Sequence, residues 1–273
     1  MLAKVLSAAV IGVDGYLVQV EVDLAMGLPA FSTVGLAEGA VRESKDRVRS
    51  AIKNSGYEFP AQRITVNLAP ASVKKEGAGY DLPMALGILA ANTTLQAPDL
   101  ERTGAIGELS LDGAVCPVPG ILPMILAARE QGIGRFLVPE ANAREAAVIQ
   151  GITIIPVRRL HEAVEVLAGI RSAEPARTDI AALFRDNSRY PVDFAEVRGQ
   201  EYAKRAMEIA AAGGHNILLS GVPGSGKTMM ARRLPTILPG LSLDEAIETT
   251  KIYSTSGLLP EQAALMVTRP FRS

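Results

Sequence analysis

Residues 221–228 read Gly-Val-Pro-Gly-Ser-Gly-Lys-Thr, and no other stretch constrains the fold of this chain as tightly. The spacing G-x-x-x-x-G-K-[ST] works where a strand runs into a tight turn and the turn opens a helix. Gly221, Gly224 and Gly226 let the backbone curl so that successive N–H groups face inward and form a concave surface for an anion. The helix beginning near Gly226 aims its positive end at the same anion. Lys227 adds a charge suited to β- and γ-phosphates, and Thr228 offers a hydroxyl to Mg²⁺ through the nucleotide. Val222, Pro223 and Ser225 complete the loop. The flanks agree, since Asn216-Ile-Leu-Leu-Ser220 reads as a buried-type strand and the residues after 226 as a helix. The pattern therefore points to ATP or ADP with Mg²⁺, and a chance glycine-rich turn would lack both flanks.

Composition removes several other classes. Of 273 residues, 48% are hydrophobic and 21% charged, enough apolar material for a sizeable core in one large or two ordinary domains. The 28 Lys and Arg against 29 Asp and Glu leave a net charge of −1, which excludes a polybasic protein holding nucleic acid by bulk charge. A lone cysteine, Cys116, excludes an intrachain disulfide and a Cys-based zinc site, and His161 and His215 lie far apart. Lys4 and the apolar Val5–Val13 stretch look faintly like a signal peptide. That stretch runs on into Val18, Val20, Val22 and Leu24 alternating with Gln19, Glu21 and Asp23, the pattern of a half-wet strand. No run reaches the ~18 apolar residues that span a bilayer. The expectation is a cytoplasmic globular protein with no membrane partner.

Two parts follow from the periodicity. Residues 1–170 predict strands near 3–11, 16–25, 63–68, 135–138 and 152–157, and helices near 38–54, 81–91, 120–131, 140–149 and 159–168. Asp112-Gly113 marks a hairpin, and Gly132, Gly151 and Gly169 close three of the helices. Helix–strand alternation of this kind indicates layered α/β packing. Residues 171–191 turn polar and read as a linker in which Ile180–Phe184 can form a short docked turn. Residues 192–273 then carry a helix near 200–212, a Gly-Gly turn, the 216–220 strand and the loop.

The entry to the loop, Asp193-Phe-Ala-Glu-Val-Arg-Gly-Gln200, resembles that of an AAA+ ATPase module. The resemblance implies that Val197, Arg198, Gly199 and Gln200 line an adenine pocket; a loop simply packed against the sheet is the plainer alternative. Further stretches resemble the YifB/ComM family of Mg-chelatase-like AAA+ ATPases over the whole chain. They are Val41-Arg-Glu-Ser-Lys-Asp-Arg-Val48, Thr65-Val-Asn-Leu-Ala-Pro-Ala71, Lys74-Lys-Glu-Gly-Ala-Gly-Tyr-Asp-Leu-Pro83, Lys251-Ile-Tyr-Ser-Thr-Ser-Gly257 and Arg269-Pro-Phe-Arg-Ser273. What the resemblance implies is an α/β chain in which a Lon-protease-like (ribosomal S5 domain 2-like) α+β domain, 1–170, precedes the first portion of an AAA+ domain. It implies an ATP-driven, homo-hexameric DNA helicase or branch-migration motor in the intact protein. A magnesium-chelatase subunit that metallates a porphyrin, and a Lon-like peptide-binding or processing protein, are the alternatives.

The Lon likeness places Gly79 at the nucleophile of a Ser–Lys dyad and Leu122 at its lysine. Neither side chain is reactive, so the fold transfers and proteolysis does not. Ser72 and Lys74 lie close in sequence, which by itself is no activation geometry. Arg42, Lys45, Arg47, Arg49 and Lys53 make a basic helix, interrupted by Glu43 and Asp46, that reads as a solvated face. Aromatic residues make up 4% of the chain, and no base-stacking platform is visible. After the loop no apolar strand ends in Asp-Glu. Asp244-Glu245 follows Leu241-Ser-Leu243 and opens a helix capped by Ser242. With Walker B carboxylates, sensors and an arginine finger all absent, no catalytic residue is assigned. The expectation is a C-terminally truncated protein that binds nucleotide without useful turnover.

Overall fold

The computed structural model describes residues 1–36, 39–75, 77–187, 190–260 and 263–271, with the side chains of Ala40, Arg42 and Asn187 left out. Arg42, as well as Glu76, Ser188, Arg189, Arg272 and Ser273 in the motifs and linker named above, thus fall outside what it describes. The chain divides into two compact units. The first comprises Met1–Thr178 with Thr250–Ala264, the second Asp179–Thr249 with Leu265–Ser273.

The first unit is built on β1 (Leu2–Ile11), β2 (Asp14–Ala25), β3 (Ala30–Val34), α1 (Gly39–Asn54), β4 (Arg63–Ala69), α2 (Asp81–Ala91) and β5 (Thr103–Ala105). It continues through the short hairpin β6 (Glu108–Leu109) and β7 (Val115–Cys116), then α3 (Ile121–Glu130), β8 (Arg135–Pro139), α4 (Ala143–Ala146), β9 (Thr153–Val157) and α5 (Leu160–Leu167). Seven strands form one mixed sheet in the order β3-β4-β2-β1-β5-β8-β9. The β4-β2-β1 pairings are antiparallel, and the remaining neighbours are parallel.

Alternation along the strands decides which face is dry. Val18, Val20, Val22 and Leu24 share one face of β2 with Ile64, Val66 and Leu68 of β4, in a register that sets Val20 beside Leu68 and Val22 beside Val66. All seven are buried against α1 and α2 side chains such as Val48, Ile52, Leu86 and Leu89. Gly15 points to the opposite face, where a β-carbon would run into the Pro123 carbonyl of α3. Glycine is thus what lets α3 lie directly on the sheet. Gly132, Gly151 and Gly169 take φ of +79°, +88° and +73°, the left-handed stops read from the sequence.

Four sequence expectations need correction. The helix over 140–149 shrinks to a 3₁₀ turn and the four-residue α4. There the Asn142 amide is spent on the Val118 backbone, and Val148 and Ile149 bond three residues back rather than four. β3 and β5 escaped notice because one is an exposed edge and the other a three-residue Thr-Gly-Ala segment. Within the stretch read as linker, the short docked turn expected at 180–184 extends to the eight-residue helix α6 (Ile180–Asn187). In the second unit the 216–220 segment turns Ile217 and Leu219 toward the apolar cluster, but it joins no ladder among the described residues. A strand is held by its neighbours' hydrogen bonds, and this segment has none to pair with there.

The second unit otherwise contains α7 (Glu201–Gly213), α8 (Lys227–Arg233) and the start of α9 (Leu243–Thr255). From Thr250 onward α9 belongs to the first unit, where Lys251 Nζ meets Asp14 Oδ1 at 2.9 Å and the Gly120 N–H donates to the Ser254 carbonyl. Among the described residues no helix is long and apolar enough to cross a membrane.

Glu145 lies buried in the first unit, its Oε1 accepting from the Leu122 N–H at 3.2 Å and from the Ser254 hydroxyl at 2.5 Å. Burial raises this carboxyl above its ordinary value, and the two donors pull only partly against it. The folded state therefore holds the proton more firmly than the unfolded chain. The stabilisation is complete below the ordinary value of 4.5 and is lost as the pH rises through the raised one. In urea unfolding followed by far-UV dichroism, the stability of wild type relative to Glu145→Gln declines from pH 4.5 upward and levels off below it. Parallel curves for the two proteins would contradict this account.

Candidate functional site

The phosphate-type loop joins the 216–220 segment to α8, as its sequence requires. Gly224 and Gly226 adopt φ of +81° and +86°, a region closed in practice to branched side chains, and Gly226 is the left-handed N-cap of α8. A β-carbon on Gly221 would sit 3.0 Å from the Ser225 hydroxyl. The glycines therefore keep the inner wall of the loop bare backbone. Lys227 folds back across it, donating from Nζ to the carbonyls of Gly221 at 2.8 Å and Val222 at 2.9 Å. Thr228 follows on the first turn of α8. Lys227 and Thr228 both line a cleft of about 850 Å³ whose other walls include Ile217, Leu219 and Leu241.

A small apolar cluster aligns the parts around the loop. Phe194, Val197, Met207 and Met230 are buried together, with Ile217 and Leu219 packed against them. Val197 thereby ties the segment before α7 to both flanks of the loop. Arg198, Gly199 and Gln200 are exposed, and Gln200 takes φ of +58° as the N-cap of α7. Of the four residues read as an adenine pocket, Val197 alone packs in this cluster. Glu196 and Arg233, which sequence reasoning passed over, add a clasp: the Arg233 Nε donates to Glu196 Oε2 at 3.1 Å and its Nη1 to the Met229 carbonyl. The Phe194 N–H donates to the Thr236 hydroxyl, bringing the same segment onto the 3₁₀ turn that follows α8.

Asp244-Glu245 does not stand at a strand end. Ser242 and Glu245 exchange hydrogen bonds, Glu245 Oε2 accepting the Ser242 N–H at 2.9 Å and Ser242 Oγ accepting the Glu245 N–H at 3.2 Å. This reciprocal cap opens α9. Arg269 contacts the same Glu245 at 3.3 Å and the Pro239 carbonyl at 3.0 Å, so its guanidinium is committed to holding the unit together. Among the described residues no group of three His, Cys, Asp or Glu side chains gathers as a metal site.

In the first unit a second cleft, about 580 Å³, opens beside β1. Gly79, Ser72 and Lys74 line it, and Tyr16 donates to the Lys74 carbonyl at 3.3 Å. Leu122 is absent from its walls and fully buried on α3. The residue aligned with the dyad nucleophile thus reaches the cleft, whereas the one aligned with the dyad lysine belongs to the core.

Two family models match: Subunit ChlI of Mg-chelatase over residues 20–142, and Magnesium chelatase, subunit ChlI over 193–273. The chain is 44% identical to YifB of Salmonella typhimurium over 273 residues, 100% of the chain and 53% of that protein. It is 43% identical to the competence protein ComM of Haemophilus influenzae over 255 residues, 93% of the chain and 50% of that protein. It is also 28% identical over 182 residues to a Lon protease of Rhizobium meliloti, 62% of the chain and 22% of the protease. The chain spans about half the length of the YifB and ComM proteins it matches.

Because a peptidase dyad needs both its groups at one cleft, the Lon similarity carries a clear expectation. Unfolded casein incubated with the chain stays intact. Cleavage that persists in protease-free preparations and disappears in Ser72→Ala would overturn the alignment of Gly79 and Leu122.

Proposed function

The chain belongs to the Mg-chelatase-like family of the YifB and ComM proteins, and from that premise we propose that residues 221–228 bind ATP or ADP with Mg²⁺ as part of an ATP-driven motor that acts on DNA. The observation that supports this best is the position of Lys227. Its ammonium lies inside the curl of the loop, held by two neutral carbonyls. A polyphosphate is a better partner for that charge, because it adds the attraction between opposite full charges to hydrogen bonds that a carbonyl answers only with a dipole. The bare backbone at Gly221, Gly224 and Gly226 leaves room for phosphate oxygens, so the residues present fit the ligand.

Nucleotide with Mg²⁺ supplies an electrophilic phosphoryl group and a cation that neutralises developing charge. The chain's own residues orient it: backbone N–H groups of the loop hold the phosphates, Lys227 follows their charge, and Thr228 offers the metal a hydroxyl. Val197 sets the approach segment against the loop, and Arg198, Gly199 and Gln200 lie exposed at that end as contacts for the base. In this proposal turnover needs an in-line water and carboxylates to position it, whereas Glu245 is occupied in the cap of α9 and Asp244 stands beside it on the first turn. The DNA-directed, cytoplasmic, homo-hexameric motor is a proposal for the whole protein, drawn from its family. The peptide-processing alternative gains nothing from Gly79 and Leu122.

Calorimetry of ADP with Mg²⁺ tests the site directly. Lys227→Ala loses about tenfold or more in affinity while keeping its dichroism spectrum, since it removes the cation from the loop. In the same proteins, excess ATP with forked DNA yields no steady phosphate release. Equal affinity in folded wild type and variant would dismiss the assignment, and Lys227-dependent multiple turnover would reveal a catalytic carboxylate in the second unit.

A further inference from the structure

The basic helix singled out in the sequence divides its charges between two faces. Arg47 points inward, its Nε donating to the fully buried Asp81 at 2.7 Å. Lys45, Arg49 and Lys53 are exposed, and none takes part in an ion pair among the described residues. They line a groove of about 440 Å³ in the first unit, within the ~300–1,000 Å³ common for ligand sites. Two aromatic rings that the sequence keeps well apart close the same groove. Phe31 comes from β3, the terminal strand of the sheet, and Phe59 from the connection between α1 and β4. Both are half-buried with their inner sides on the core, and the Arg49 guanidinium lies over the Phe59 ring at 5.7 Å from its centre. Asp46 is the one carboxylate among the lining residues.

We infer that this groove is a binding site for single-stranded DNA, in which Lys45, Arg49 and Lys53 follow phosphates while Phe31 and the Arg49–Phe59 stack receive bases. Three cations that make no ion pair among the described residues, set against one lining carboxylate, fit a polyanion, and rings beside them fit one that carries flat π-faces. A duplex keeps its bases inside the stack and leaves the rings unused. An acidic peptide answers the charges but not the rings. The choice of DNA over RNA rests on the motor reading above; the site itself involves no residue of the phosphate loop.

The test is fluorescence anisotropy of labelled oligo-dT with the full chain, without nucleotide, between 50 and 200 mM salt. Wild type binds in the range of non-specific contacts, with a log–log salt slope of about −2, as three phosphate contacts at ~0.7 each require. Lys45→Gln with Lys53→Gln, both at exposed positions, weakens binding about tenfold at 50 mM salt and flattens the slope by about 1.4. Phe59→Leu weakens it to a similar extent but leaves the slope unchanged, because stacking releases no counterions. Lys227→Ala binds as wild type does, which separates this site from the nucleotide site. Oligo-dT binding that is unaffected in the double variant overturns the inference. So does poly-glutamate that binds as tightly as DNA of equal charge, and oligo-U that binds about tenfold tighter overturns the choice of DNA.

Discussion

The Asp81 carboxylate organises the first unit. It is fully buried at the start of α2, Oδ2 taking Arg47 Nε at 2.7 Å and the Leu109 N–H at 3.2 Å, while Arg47 also reaches the Ser44 hydroxyl on its own helix. One group thereby joins α1, α2 and β6. Burial pushes this carboxyl up while the Arg47 and Ser44 hydrogen bonds and the Arg47 charge pull it down. A buried pair of this kind adds little to stability beyond what apolar side chains of the same volume would give. Removing one partner costs about 3–5 kcal/mol, because the other charge is left without compensation. Its contribution is therefore to position. It fixes the rotation of α1, and so decides which of that helix's cations turn inward and which face solvent.

That division explains what a sequence can and cannot disclose here. The loop at 221–228 is legible because its chemistry is local: each residue acts through a neighbour a few positions away. The dry face of β2 and β4 is legible for a similar reason, since period-2 burial shows directly as Val and Leu at alternate positions. Arg47 is not distinguishable from Arg49 in the sequence, because its partner lies 34 residues on and is recognised only once α2 packs on α1. Phe31 and Phe59 share a groove solely because β3 pairs in parallel with β4 beyond the intervening helix. The 216–220 segment shows the converse. Its residues favour a strand, but ladder hydrogen bonds depend on neighbours that its own sequence does not specify.

The cleft beside β1 is shaped by packing at both positions that the Lon likeness singles out. Gly79 stands on its wall with the side chains of Ile106 and Val118 about 3.3–3.4 Å from where a β-carbon would lie, close enough that even a small side chain must be accommodated. Leu122 lies in the hydrophobic interior, and its backbone N–H serves Glu145. Both positions now answer to packing. A lysine at position 122 would have its ammonium in a fully buried layer, where a charge is costly unless paired.

The first unit is discontinuous: Ser254 and Lys251 complete contacts with Glu145, Gly120 and Asp14 that the preceding 178 residues leave open. During synthesis those contacts must wait until positions 179–249 have left the ribosome. The nascent sheet and its helices can collapse early, but the pocket around Glu145 stays unsealed for that interval. This unit therefore matures in two stages set by the pace of translation, and its final closure reports that the polypeptide has been made well past the phosphate loop.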